Sequence, residues 1–80
     1  MQRSFMYYVN GPLQLVQSGL SILNSAGYRV KIVVEPFSVP NNAVFCNHKN
    51  SPLNVLEVIR QIRSDVSSPS SGDLYLIVID

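Results

Sequence analysis

Two segments of the chain repeat apolar residues at the spacing of an α-helix. Side chains three or four positions apart lie on one face of a helix, so such a repeat predicts a helix with one buried face. In the first segment the repeat consists of Leu13, Val16, Leu20 and Leu23, beside a stripe of Leu15, Gly19, Ile22 and Ala26. In the second it consists of Val55, Ile59, Ile62 and Val66. The expected core is Leu13, Leu15, Val16, Leu20, Leu23, Val55, Ile59, Ile62, Ile77 and Ile79.

Residues that favour helix ends flank both segments. The tripeptide Asn10-Gly11-Pro12 precedes the first repeat, and we expect one of its first two residues to cap the helix, with the proline in the first turn. Gly27 fits the left-handed position that ends a helix, so this helix is expected to run to about Ala26. Ser51-Pro52 is expected to open the second helix as cap and first-turn proline.

Four segments have the composition of β-strands. Arg3–Val9 and Leu74–Ile79 are rich in apolar residues at successive positions, as in strands that are buried on both faces. Arg29–Glu35 alternates apolar and mostly polar residues, which indicates a half-buried or edge strand. We also expect a short strand at Ala43–Cys46, because a structureless loop of about fifteen residues would be unusual in a small domain.

The predicted order, β-α-β-β-α-β, is that of the ferredoxin-like two-layer sandwich. That α+β fold has one antiparallel sheet with both helices on one face, and we expect it for residues 1–80 as a single domain. Without the short strand, three parallel strands with helices on both faces would form a small flavodoxin-like α/β sheet. The apolar first and last strands fit either helices on both faces or a bare sheet face buried against a partner. We prefer the sandwich because it explains the long middle segment and the low surface charge together.

No charged side chain occurs between Ser4 and Tyr28. A helix that faces water normally carries charged residues on its outer side, and only 14% of this chain is charged, against about a quarter in an average protein. The outer side of the first predicted helix carries small or neutral polar residues instead, which suits packing against another surface. We expect an interface formed by Gln14, Gln17, Ser18, Ser21 and Ser25.

The length and the cysteine content also favour association. A chain of 80 residues is close to the lower limit for a self-sufficient core, and small chains add disulfides, metals or oligomerisation. The single cysteine, Cys46, excludes an internal disulfide and most structural zinc sites. We therefore expect a homo-oligomer without a metal or other cofactor.

Charge and hydropathy argue against two classes of partner. The formal net charge is +1 and no block of Lys and Arg occurs, so specific nucleic-acid binding is not expected. No apolar stretch approaches the roughly twenty residues of a membrane span, and the apolar run Phe5–Val9 is too short for a signal peptide. Together with one free cysteine, these features predict a cytoplasmic protein.

Two short motifs resemble functional sites. A helix N-terminus directly after a strand exposes backbone amides, so Asn10 and Gly11 are candidate ligand-binding residues. A phosphate loop would contain more glycines, and a plain turn is the favoured interpretation. Cys46 and His48 point the same way on an extended segment and could form a thiol–imidazole pair. Because no third residue orients the imidazole, we favour a buried Cys46 beside a solvated His48, and we predict no catalytic residue.

Carboxylates at strand ends and tyrosines on or near the strands are two further kinds of candidate site. Carboxylates at strand ends can bind metals or act as acids and bases, and the chain has Glu35, Asp73 and Asp80 at such positions. Polar ends of strands are the favoured interpretation. Aromatic residues on a sheet can stack on bases, and the candidates are Tyr7, Tyr8 and Tyr28. The basic-aromatic third strand of RNA-binding sandwiches is missing, so core and interface packing is favoured.

Residues Val9 to Val34 resemble the first half of ACT-type regulatory domains. The resemblance rests on Val-Asn-Gly-Pro-Leu, a helix, and then Ala-Gly-Tyr-Arg-Val-Lys-Ile-Val-Val, about a third of the chain. It implies a ferredoxin-like module that binds amino acids between paired subunits. ACT-type domains usually have an acidic residue ahead of a Pro-Gly turn, whereas here the order is Gly11-Pro12 and no acid precedes it.

The functional prediction is a non-enzymatic protein-interaction or assembly module that self-associates. Another protein is a second class of partner, and a small ligand at the subunit interface is compatible with this function. The alternative is a small thiol-dependent enzyme or redox protein that uses Cys46 and His48.

Overall fold

The computed structural model describes residues 2–79. The elements are β1 (Arg3–Asn10), α1 (Leu13–Ser25), β2 (Arg29–Val34), β3 (Ala43–Phe45), β4 (Leu53–Asn54), α2 (Val55–Asp65) and β5 (Gly72–Ile79). The Cα radius of gyration is 11.3 Å. A compact domain of this length is expected to have about 11.6 Å. The protein is therefore a small, compact α+β domain.

All strand pairs in the described residues are parallel. The sheet has the order β2-β5-β1-β3, and β4 pairs with β1 beyond the end of β3. The central pair is β1 and β5, in register from Arg3 opposite Gly72 to Asn10 opposite Ile79. β2 follows the first helix and β4 precedes the second, and these two strands lie on opposite sides of the central pair.

Both helices pack on one face of the sheet, called here the helix face. Their buried residues are Val16 and Leu23 of α1 and Val58 and Ile62 of α2. They form one cluster with sheet residues that include Tyr7, Val9, Val30, Leu74 and Leu76. The crossovers β1-α1-β2 and β4-α2-β5 travel in the same direction across the sheet. Right-handed crossovers that travel the same way leave their helices on the same face.

The other face of the sheet is called here the open face. β2 and β3 lie three strand positions apart, about 14 Å, and the segment 35–42 can span that distance when extended. This connection travels opposite to the helical crossovers, so the right-handed rule predicts that it passes over the open face. A connection on that path would cover Met6 and Ile77, which are fully buried although they belong to the open face.

The predicted antiparallel sheet is wrong, and the ferredoxin-like topology is not confirmed. A parallel sheet is not typical of that fold, although both helices do lie on one face, as expected for it. The flavodoxin-like alternative has the parallel pairing but places helices on both faces. The physical reason is that β2 and β3 lie on opposite sides of the sheet and do not form a hairpin, so their connection is a crossover and β3 runs parallel to β1.

The predicted end of the first helix is confirmed in detail. Gly27 has a φ of +96°. Its N–H donates to the carbonyl oxygen of Asn24 at 3.0 Å, and the N–H of Tyr28 donates to that of Leu23 at 3.1 Å. This pair of bonds is the Schellman arrangement that satisfies the last carbonyls of a helix.

The predicted starts of the helices are wrong by one to a few residues. Pro12, with φ −62° and ψ 145°, occupies the cap position of α1 without a side-chain cap bond. α2 begins at Val55 because Leu53 and Asn54 first pair with β1. Asn54 is the cap of α2: its Oδ1 accepts from the N–H of Glu57 at 2.9 Å. Its Nδ2 donates to Oε1 of Glu57 at 3.1 Å, a second contact that holds the cap side chain against the first turn.

The predicted core is confirmed in part. Val16, Leu23, Ile62 and Ile77 are buried, and Leu20, Val55, Ile59 and Ile79 are half-buried. Leu13 and Leu15 are 50% and 56% exposed, so their assignment to the core is wrong. The stripe of α1 that meets the sheet is centred on Val16 and Leu23, and Leu13 and Leu15 lie on either side of it.

Candidate functional site

An apolar groove lies between the two helices on the outer side of the helix layer. Its volume is about 310 Å³. It is lined by Leu15, Ser18, Gly19, Ile22, Val55, Leu56 and Ile59. We call it the α1–α2 groove. Gly19 allows the close approach of the helices, because a Cβ atom there would lie 2.6 Å from Cγ1 of Val55.

Three large apolar side chains of this groove are open to solvent. Leu15 is 56% exposed, Ile22 is 48% exposed and Leu56 is 70% exposed. No charged residue lines the groove within the described chain. A contiguous apolar patch with a polar surround is the usual character of a surface that binds another protein.

The predicted interface residues are all exposed, but they do not form one site. Ser18 lines the α1–α2 groove. Its Oγ donates to the backbone carbonyl of Gln14 at 3.1 Å, so the hydroxyl is already satisfied within the helix. The remaining four, Gln14, Gln17, Ser21 and Ser25, lie on the exposed side of α1 outside the groove lining. Their role in an interface stays a prediction. The exposed leucines and the isoleucine of the groove are not among the predicted interface residues, and one of them, Leu15, is expected in the core.

A second cavity, of about 420 Å³, lies beside the outermost strand pair. It is lined by Tyr8, Phe45, Asn47, His48, Lys49 and Asn50, and we call it the aromatic cavity. The rings of Tyr8 and Phe45 have centroids 6.0 Å apart and planes inclined by 19°. Tyr8 was a candidate for ring stacking in the sequence, whereas Phe45 joins it only through the pairing of β1 with β3.

The turn at Asn10 and Gly11 is an ordinary strand-to-helix connection in its geometry. Gly11 has a φ of +142°, which a side chain would rarely adopt, and open space surrounds the position of its missing Cβ. Asn10 is exposed and its backbone lies in register with Asn54 and Ile79. Neither residue lines the α1–α2 groove or the aromatic cavity. Their predicted ligand-binding role stays a prediction.

Cys46 and His48 lie in different surroundings. Cys46 is half-buried and packs against the core cluster that contains Tyr7 on the helix face. Burial raises the pKa of its thiol. His48 is exposed and lines the aromatic cavity with Tyr8 on the open face. No side-chain hydrogen bond joins the two residues within 2–79, and the Cys46 Sγ instead lies 3.7 Å from the carbonyl oxygen of Val44.

The other tyrosines belong to the core. The hydroxyl of Tyr28 donates to the carbonyl oxygen of Val66 at 2.8 Å. That of Tyr7 donates to Oδ2 of Asp65 at 3.0 Å. Burial is the main cause that raises the pKa of Tyr7 well above its ordinary value, so the phenol is neutral near pH 7. The favoured packing role of these two residues agrees with their positions.

The strand-end carboxylates form ion pairs. Asp73 lies 2.9 Å from Nε of Arg29, and Glu35 lies 3.0 Å from Nζ of Lys49. All four side chains are largely exposed, so each pair contributes little to stability. Asp80 lies outside the described residues. Within residues 2–79 no three His, Cys, Asp or Glu side chains are grouped so that they could hold a metal ion.

Neither helix in the described part of the chain has the length and apolar character needed to cross a bilayer. Comparison of the chain with protein-family models, curated proteins and solved structures gives no match. The resemblance of Val9–Val34 to ACT-type domains thus gains no support, and the parallel sheet is not typical of the ferredoxin-like fold that it implied.

Proposed function

We propose that this protein is a non-enzymatic interaction module that self-associates through the α1–α2 groove. The observation that supports this is the exposure of Leu15, Ile22 and Leu56 side by side on one surface. Fully burying one such side chain stabilises an assembly by about 1.5–3 kcal/mol. These residues are already partly covered, so burying each of them in the assembly would contribute only part of that free energy.

The groove needs a surrounding surface to complete an interface. A stable interface buries roughly 1,200–2,000 Å² in total, more than three side chains provide. The exposed polar residues of α1 extend the groove, and they include Gln14, Ser21 and Ser25. An apolar centre with a neutral polar rim is the usual anatomy of an interface between proteins. The predicted interface and the observed groove are therefore two parts of one proposed surface.

A second copy of the chain is the partner that we favour. In a two-fold dimer the same surface patch lies on both subunits, so any charge on it meets a like charge or must leave water. No residue of α1, from Leu13 to Ser25, carries a charge. Two copies of this helix can therefore approach each other without repulsion. A chain of this size also gains stability from association.

Sedimentation at micromolar concentration tests the proposal. A carboxylate in the groove would have to leave water in the assembly, so Ser18→Glu should weaken association at least tenfold, equivalent to about 1.4 kcal/mol. Ser64→Glu adds the same charge at an exposed position of α2 that belongs neither to the groove lining nor to its polar rim, and should change association less than about threefold. Circular dichroism would show that both variants fold.

A wild-type chain that stays monomeric at high micromolar concentration would remove the proposal. Equal weakening by Ser18→Glu and Ser64→Glu would show that added charge weakens association wherever it lies, and would remove the groove from the proposal. If neither variant weakened an assembly that does form, the open face of the sheet would carry the interface instead.

The thiol-dependent alternative has less support. A cysteine nucleophile needs a lowered thiol pKa and a base within reach. Burial raises the pKa of Cys46, and His48 lines the aromatic cavity, to which Cys46 does not belong. The proposal therefore includes no catalytic residue, no cofactor and no nucleic acid. We place the protein in the cytoplasm, where a free half-buried thiol such as Cys46 stays reduced.

A further inference from the structure

The floor of the aromatic cavity consists of two rings on adjacent strands. Tyr8 and Phe45 are diagonal neighbours, because Phe45 lies opposite Met6 in the register of β1 and β3. Their planes differ by only 19°, and Phe45 is 45% exposed. The two rings are stacked on each other, so the exposed Phe45 offers a flat apolar face on which a further ring can continue the stack.

The wall of the cavity is held rigidly by one amide side chain. Oδ1 of Asn47 accepts from the backbone N–H of Tyr8 at 2.7 Å, and Nδ2 donates to the backbone carbonyl of Tyr8 at 2.8 Å. The amide thus pairs with β1 as a backbone peptide group would. A wall that is already ordered loses little freedom when a ligand binds.

Polar groups beside the rings are available to a ligand. Within residues 2–79 the side chains of His48 and Asn50 have no protein hydrogen-bond partner, and both line the cavity. An imidazole and an amide each donate and accept hydrogen bonds. Such groups match the ring nitrogens and exocyclic groups on the edge of a nucleobase, and amides are common partners of adenine.

The charged residues at the cavity do not favour the binding of a phosphate group. Lys49 is its one lysine, and Nζ of Lys49 lies 3.0 Å from Oε1 and 3.2 Å from Oε2 of Glu35. The carboxylate offsets the ammonium charge, so recognition depends on the ring and its edge. The volume of about 420 Å³ is within the range of small-molecule sites, roughly 300–1,000 Å³. The cavity also lies toward the carboxyl ends of parallel strands, where α/β sheets bind their ligands.

We propose that the aromatic cavity binds the planar nitrogen heteroaromatic ring of a nucleoside or mononucleotide. The ring stacks on the exposed face of Phe45 and continues the Tyr8–Phe45 stack, and its polar edge faces His48 and Asn50. This site lies on the open face and is independent of the α1–α2 groove. A result that rules out ligand binding at this site would leave the proposed self-association unaffected.

Titration by NMR with three probes tests the site. Adenosine carries the ring without a charge, AMP carries the ring and a phosphate, and ribose 5-phosphate carries the phosphate without the ring. We expect saturable shifts of cavity resonances with adenosine and AMP, with dissociation constants within about threefold of each other because Glu35 offsets Lys49. Ribose 5-phosphate should not bind.

Variants identify the surface that binds. Base stacking on an aromatic residue corresponds to roughly 5- to 150-fold in affinity, so Phe45→Ala should weaken adenosine binding by that order. Tyr75→Ala is the matched control, because Tyr75 belongs to the open face on β5 but does not line the cavity. It should leave the affinity unchanged. Folding of both variants is checked by the dispersion of their amide spectra.

Several outcomes would overturn the site. They are no saturable binding of adenosine or AMP at millimolar concentration, binding of ribose 5-phosphate as tight as that of AMP, and equal affinity for phenol and adenosine. Unchanged adenosine binding in a folded Phe45→Ala variant would overturn it as well. Binding of a single-stranded oligonucleotide much more tightly than AMP would replace the small ligand with a nucleic acid.

Discussion

The hydroxyl of Tyr7 donates a hydrogen bond to Oδ2 of Asp65 at 3.0 Å, which joins the middle of β1 to the last turn of α2. Tyr7 is fully buried, whereas Asp65 is exposed. The hydrogen bond therefore ties a core position of the sheet to the end of the second helix. Tyr28, the residue just before β2, makes a similar link to Val66.

Replacing Tyr7 with Phe should destabilise the fold by about 1–2 kcal/mol. A hydrogen bond to a charged acceptor is lost, but Asp65 can be hydrated in its place. Chemical denaturation at pH 7 measures the change. Tyr75→Phe is the control, because Tyr75 has no side-chain hydrogen bond among the described residues and should alter stability by less than about 0.5 kcal/mol. Equal effects of the two changes would contradict a role for the link.

The same variant should alter the alkaline limb of the stability curve. Burial raises the pKa of Tyr7 in the folded protein above its ordinary value near 10. Above pH 10 the unfolded chain releases this proton while the folded protein keeps it. The contribution of the neutral phenol is therefore complete below pH 10 and is lost as the pH rises further. Between pH 9 and 11 the free energy of unfolding should fall less steeply in Tyr7→Phe than in the wild type.

Two leucines of α1 should differ sharply when truncated. Leu23 is fully buried and Leu13 is half exposed to solvent. Leu23→Ala should cost about 2–5 kcal/mol, and Leu13→Ala should cost less than about 1 kcal/mol. Thermal or urea denaturation of the two variants measures the difference. A larger loss for Leu13→Ala would show that the helix is rotated relative to the sheet.

Two glycines should resist replacement by alanine for different reasons. At Gly72 an added Cβ meets the backbone carbonyl oxygen of Arg3, which is fixed by the β1–β5 pairing. At Gly19 it meets a methyl group of Val55, which can move by a small amount. We expect a loss of about 1–3 kcal/mol for Gly19→Ala and a larger loss for Gly72→Ala.

The control for the glycines is Ser21→Ala, an exposed change on the helix of Gly19, and it should be neutral or slightly stabilising. Urea denaturation ranks the three variants. A stabilised Gly19→Ala would mean that α1 and α2 are not in close contact at this point.

Cys46 should react slowly with alkylating reagents. Burial raises its pKa, so the thiolate that reacts is scarce at neutral pH. Its rate with iodoacetamide at pH 7.5 should be at least about tenfold below that of N-acetylcysteine, and should keep rising with pH beyond the point at which the rate of N-acetylcysteine levels off. His48→Ala should leave the rate unchanged. Fast reaction at pH 6 that is lost in His48→Ala would support the thiol-dependent alternative.

Local features of the fold were predictable because they depend on neighbouring residues. The periodicity of α1, the stop at Gly27 and the short strand at Ala43–Phe45 all follow from spacing and turn chemistry. Periodicity shows which residues share a helix face, but not which of two adjacent stripes meets the sheet. Leu15 belongs to the stripe that faces the groove, so the prediction that it lies in the core is wrong.

Features that depend on distant pairing could not be predicted. Parallel and antiparallel sheets use strands of similar composition, and nothing in Gly72–Ile79 indicates that it lies between β1 and β2. The two candidate sites could not be predicted for the same reason, because each depends on residues that are distant in the sequence. The groove requires α1 to lie beside α2, and the aromatic cavity requires Phe45 to reach Tyr8 across the β1–β3 pair.

The central position of β5 determines when the sheet can assemble. β1 and β2 are joined by the first helix but share no hydrogen bonds, since β5 pairs with both of them. The first βαβ segment therefore has no sheet of its own until the residues from Gly72 onward arrive. Arg3 then pairs with Gly72 across almost the whole described chain. Contacts between such distant residues slow folding, because a long loop must close before any pairing is gained. Folding of this small domain is expected to be slow for its length, and a fragment that ends before Gly72 should not hold β2 against the rest of the sheet.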